Sequence, residues 1–166
     1  MRIILFCTLT FTLAALAQDP PLSPGASEWG FVEALAAPMA WHPHWTRTTK
    51  IDGEVSLQGG VQVEARFPDG DKVLETAYDD LGNFFAAVGV PTGGSFRIVA
   101  ERIPTPSPEA FILAISEKEC RIQANDAEGI RRGIFFLEDE LLRADGPFLR
   151  VGETQRSPFI KTRISR

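Results

Sequence analysis

Both histidines of the chain fall in one short run, Trp41-His42-Pro43-His44-Trp45. Two imidazoles that close could share a metal ion, and the flanking indoles could stack on the apolar face of a pyranose ring. Zinc, however, needs three or four ligands with an outer layer of hydrogen bonds that orients them, and no carboxylate or thiol stands nearby in sequence. No metal and no cofactor is expected, and the tryptophans around Pro43 read first as a local hydrophobic anchor. A second candidate is the acidic run Glu138-Asp139-Glu140. A glycosidic bond can be cut by two carboxylates held about 5–10 Å apart on opposite sides of it. Neighbours on a helix point in different directions, and Leu137 and Leu141 mark the buried stripe. These acids are therefore expected on the solvated side, balancing Arg131, Arg132 and Arg143. Cys120 has no histidine partner in view, and Gly59-Gly60 and Gly93-Gly94 are turn material rather than a phosphate-binding loop or a nucleophile elbow. No residue is expected to be catalytic.

The elements that would position these groups are legible from hydrophobic periodicity. Val61, Val63, Ala65 and Phe67 alternate with Gln62, Glu64 and Arg66, which predicts a strand with one buried face. Pro68-Asp69-Gly70 breaks it. Over residues 71–88, Leu74, Ala77, Tyr78, Leu81, Phe85 and Val88 fall on one helical stripe, and Gly89 can end that helix. Phe96, Ile98 and Ala100 alternate as a second strand, and the prolines between Ile103 and Pro108 form a connection. The apolar run 111–115, the polar turn 116–119 and the alternating 120–124 predict a hairpin. Asp126 is placed to cap a helix on which Ile130, Ile134, Leu137 and Leu141 recur at helical spacing. Gly129 and Gly133 lie on one side of that helix, where glycine costs about 1 kcal/mol against alanine; close approach to a sheet or a neighbouring domain explains their presence. Strand-like stretches follow at 148–151 and 158–164. The sum is an α+β fold, a mostly antiparallel sheet with two helices packed on one face. A weaker helical pattern at 28–39 is limited by Pro38 and Pro43.

At 166 residues, the chain has room for one ordinary domain and a leader. Apolar residues make up 44% and include twelve phenylalanines, enough for a sizeable core, and the 23% of charged residues are of mixed sign. Met1-Arg2 and the uncharged run from Ile3 to Leu16 end in Ala15-Leu16-Ala17, whose small residues suit a signal peptidase. Cleavage is expected after Ala17, giving a secreted or periplasmic protein. A membrane anchor would need about 20 apolar residues, more than this run supplies. Cys7 leaves with the leader, so Cys120 has no partner for an internal disulfide and is expected to be a buried small hydrophobe. The net charge of −5 disfavours nucleic acid and anionic membranes as partners, but not neutral sugars.

The hairpin, the run Asn125-Asp126-Ala127-Glu128-Gly129-Ile130-Arg131-Arg132-Gly133-Ile134 with Leu137 and Leu141, and the junction Ser157-Pro158-Phe159-Ile160-Lys161-Thr162-Arg163 together resemble one known arrangement. It is the small N-terminal domain preceding the catalytic barrel in secreted glycoside hydrolases of the β-N-acetylhexosaminidase type (family 20), and its counterpart in α-glucuronidases. A barrel of that kind takes about 250 residues, so the resemblance implies that the catalytic machinery lies outside these residues. It further implies that Arg163 matches the arginine opening the barrel's first strand, whose planar fork of donors hydrogen-bonds sugar hydroxyls. Ile164 departs from the pattern where glycine is usual, and the aspartate expected shortly afterwards lies beyond Arg166.

The expected organisation is a signal peptide at 1–17, a poorly defined segment at 18–56, an α+β accessory domain at 57–152, and at 153–166 a junction with the first strand of a barrel. The expected role is support of a glycoside hydrolase's catalytic barrel in carbohydrate metabolism, without hydrolytic activity of its own. The barrel is the expected partner, meeting the outer sheet face and the glycine side of the second helix; an oligosaccharide is a candidate ligand. The alternative is a free-standing secreted module that binds carbohydrate through Trp41 and Trp45, or binds protein through a sheet edge.

Overall fold

The computed structural model describes residues 45–159. The leader, the segment up to His44 with Trp41 and both histidines, and the stretch 160–166 with Arg163 lie outside the described residues. Seven strands and two helices follow in the order β1 (Glu54–Ser56), β2 (Val61–Ala65), α1 (Glu75–Ala87), β3 (Phe96–Arg102), β4 (Phe111–Ile115), β5 (Glu119–Ala124), α2 (Ala127–Ala144), β6 (Phe148–Arg150) and β7 (Gly152–Arg156). Five strands form the main sheet in the order β2-β3-β5-β4-β7, and β1 pairs with β6 beside it. Pairs β2–β3 and β3–β5 are parallel, the first joined by the α1 crossover; β4–β5, β4–β7 and β1–β6 are antiparallel. The fold is α+β, with antiparallel pairings in the majority.

Both helices pack on one face. Register places Val61 beside Phe96, Ile98 beside Cys120, Ala100 and Leu113 beside Ile122, and Phe111 beside Ala124. These side chains join Leu81 and Phe85 of α1 and Ile130, Ile134, Leu137 and Leu141 of α2 in a single buried core. The helix glycines face that sheet. A Cβ on Gly129 would lie 2.7 Å from both the Ala110 carbonyl oxygen and the Ala124 Cβ. The two helices run parallel: Arg131 donates to the Val73 carbonyl at 2.8 Å, 58 positions apart, and Glu138 feels the charge of Asp80 at the same offset.

Local chemistry sets the helix ends. The Oδ1 of Asp126 accepts the Gly129 amide at 2.8 Å, and Arg143 stands in the last turn of α2, where its charge suits the carboxyl end. Helix α1 begins at Glu75 rather than at residue 71 because Asp69 holds the amides of Val73 and Leu74 at 3.0 and 2.8 Å in a turn before it. Gly89, at φ 74°, closes α1, with the Val90 amide on the Phe85 carbonyl at 2.9 Å.

Several expectations are corrected. The strands of the domain reach beyond 57–152: β1 lies before that range, and β7 continues to Arg156 inside the main sheet. Pro158 and Phe159 are not in a strand. The outer sheet face is not an apolar docking surface. It carries a ladder in which Arg97 bridges Glu64 at 3.6 Å and also Glu119, Arg121 meets Glu119 at 2.6 Å and Glu101 at 3.8 Å, and Gln123 donates to Glu101 at 2.6 Å. Cross-strand pairing of opposite charges satisfies that face from within, and Val99 is buried among these side chains. On the edge strand β2, Val61 is buried but Val63 is 39% exposed, so only one end of its apolar face is covered.

Candidate functional site

The sequence-derived candidates do not converge. Trp45 is half-buried and packs against the core, with its Nε1 buried and lacking a hydrogen-bond partner; this fits the anchor role. It borders a 500 Å3 groove with Arg47, Gln58, Val88 and Pro147. Among the described residues, no group of three histidine, cysteine or acidic side chains could hold a metal ion. Cys120 is fully buried, and burial pushes its thiol pKa up, away from the reactive thiolate. The acidic run splits: Glu140 pairs with Arg143 at 2.6 Å, Asp139 is exposed, and Glu138 turns inward. Placing all three on the solvated side is therefore wrong for Glu138. Burial first, then the charges of Asp80 and Asp139, push its pKa up to about 7. No second carboxylate is positioned across a shared bond from it, so the run is not an acid–base pair.

What the fold does assemble is a groove between α2 and the edge strand β7. Glu109, Phe111, Arg132, Phe135, Phe136 and Pro158 line a 340 Å3 cavity. Phe135 is 44% exposed there. Phe136 is half-buried, its ring 5.5 Å from that of Phe111, with the guanidinium groups of Arg156 and Arg143 at 5.2 and 5.9 Å from its centre. Cation–aromatic contacts of this kind hold the arginine stems over the ring. Arg132 is neutralised by Glu109 at 3.0 Å, whereas Arg156 makes no ion pair among the described residues. A second cavity of 430 Å3 shares Phe136 and runs past Arg143 to Phe148 and Thr154. The main chain leaves β7 along this groove, and Phe159 is fully exposed where it does so.

Chemically the groove offers apolar surface, the guanidinium groups of Arg132 and Arg156, the carboxylates of Glu109 and Asp139, and the Ser157 hydroxyl. The sequence pattern does not single this groove out, because the buried stripe of α2 dominates the helical periodicity. The consecutive pair Phe135-Phe136 was the available signal: neither aromatic lies on that stripe, and while Phe136 finds Phe111 of β4, Phe135 stays 44% exposed.

No family model and no curated protein matches the chain. Solved structures do. A mutant β-hexosaminidase of Streptomyces plicatus in complex with its product GlcNAc matches at TM-score 0.51 and 17% identity over 74% of this chain. A GH138 enzyme targeting pectin rhamnogalacturonan II matches at TM-score 0.50 and 19% identity over 59% of it. The fold is thus one that glycoside hydrolases contain as a part. The chain spans 27% of the hexosaminidase's length and 12% of the GH138 enzyme's. Among the described residues, no helix is long and apolar enough to cross a membrane.

Proposed function

We propose that this chain is a secreted accessory domain of a glycoside hydrolase, inactive alone, which braces a catalytic barrel entered through residues 157–166. A β-N-acetylhexosaminidase-like parent is the favoured one. The observation that carries this is the contrast between the two sides of the domain. The outer sheet face is closed by its own ion pairs, whereas the α2–β7 groove leaves Phe135 uncovered at the point where the chain departs. A domain tethered at Phe159 meets the groove at high effective concentration, which compensates for a contact of modest area. Arg163 would then open the barrel's first strand and bind sugar hydroxyls, and export would begin with cleavage after Ala17.

The test is thermal unfolding of the domain alone and of a polypeptide continuing into a catalytic domain. Joined, the domain should unfold at a higher temperature. Phe135→Ser should remove that gain without altering the isolated domain, and Arg121→Ser on the sheet face should leave it intact. Equal midpoints alone and joined would reject the bracing role. Against a free-standing sugar-binding module stands the partial burial of Trp45 against the core, which suits an anchor better than a fully exposed platform.

A further inference from the structure

A half-buried carboxyl group lies where the two parallel helices meet. Arg131 pins α2 to the start of α1 through the Val73 carbonyl. Two turns further along, about 10 Å, Glu138 of α2 faces Asp80 of α1. The Oε1 of Glu138 is buried and has no hydrogen-bond partner. The charged groups around it are all acidic: Asp80 across the interface and Asp139 beside it. The nearest cation on that flank of α2, Arg131, is bound to Glu128 at 2.6 Å and to Val73. Tyr78 of α1 also has a buried hydroxyl without a hydrogen-bond partner, and the charge acting on it is that of Asp69, before the helix.

We infer that Glu138 is a proton-operated latch between the helices: neutral, it allows α1 to close on α2, and ionised, it opposes that contact. An ionised oxygen buried without a donor is costly, while a protonated carboxyl can donate its own hydrogen. With a folded-state pKa of about 7, the native domain retains a proton that the unfolded chain releases at about pH 4.5. The stabilisation is therefore complete below the unfolded value and is lost as pH rises through the folded one. A difference of that size corresponds to at most about 300-fold in the unfolding equilibrium constant; partial exposure reduces the expected change to about 10-fold.

The test is urea unfolding of the chain between pH 5 and 8, with a carbon-13 titration of the Glu138 carboxyl. The unfolding constant should rise about 10-fold across this range in the wild type and stay flat in Glu138→Gln, which should be the more stable protein at pH 8. Asp80→Asn should move the carboxyl titration to lower pH by removing a repelling charge. An equal pH slope in wild type and Glu138→Gln, or a carboxyl that titrates below pH 5, would overturn the latch.

Discussion

The Cγ2 methyl of Ile122 fills the space that a side chain on Gly133 would need: a Cβ there would lie 2.3 Å from it. Helix α2 therefore rests directly on β5, and the absent side chain sets the distance between them. Gly133→Ala gains helix propensity but must push the helix off the sheet. The net expectation is a loss of about 1–3 kcal/mol in urea unfolding. Combined with Ile122→Ala, the loss should be less than the sum of the two single losses. Gly82 on α1 meets nothing within 4 Å of a built Cβ, so Gly82→Ala should stabilise by about 0.5–1 kcal/mol. Equal effects at the two glycines would mean that α2 is not seated as described.

Asp126 ties two segments together, accepting the Gly129 amide on one oxygen and the Glu109 amide on the other, each at 2.8 Å. Glu109 holds a left-handed conformation at φ 62°, so this bond also fixes the turn entering β4. Asp126→Ala should cost about 1–2 kcal/mol. Amide hydrogen exchange should quicken at both Gly129 and Glu109; a change at the helix end alone would argue against the second contact.

Much of this fold was legible because its signals are local. The alternation of Phe96, Ile98 and Ala100, the hairpin, the Asp126 cap and the Gly89 stop each depend on near neighbours in sequence. What was missed depends on distant ones. The short β1 exists by pairing with β6, Val55 opposite Leu149. The edge strand β7 reads Gly-Glu-Thr-Gln-Arg, with no apolar face to mark it, and is held by its register with β4. Glu138 looked solvated because Leu137 and Leu141 define the sheet-facing stripe. Its burial comes from α1 lying parallel alongside, an adjacency no local pattern encodes.

Cys120 gives a reporter for the core. Fully buried in β5, its thiol should resist an aromatic disulfide reagent at pH 8 and react only at the rate of opening or unfolding. Urea should accelerate labelling in step with the loss of structure. Immediate labelling of Cys120 itself in the native protein, located by peptide mapping apart from Cys7, would contradict the packing of α2 over β5.

The acid limb of stability should have the opposite sign to the Glu138 effect. Hydrogen bonds from the Thr46 side chain and amide, with Arg47 nearby, hold Asp145 below its ordinary pKa; Glu119 is lowered chiefly by its hydrogen bond from Arg121. A depressed carboxyl pKa contributes stability that is present above the unfolded value and is lost as pH falls through the folded one, here below about pH 4. Thr46→Val should weaken that dependence, read as a shallower loss of thermal midpoint from pH 5 to pH 2.

The most direct measurement is hydrolysis of chromogenic N-acetylhexosaminides and glucuronides by the purified chain, beside a polypeptide that continues into a catalytic domain. The expected result is no turnover by the chain alone and turnover by the longer polypeptide. Product release proportional to the concentration of the chain itself, and abolished by neutralising one of its own carboxylates, would contradict the accessory role.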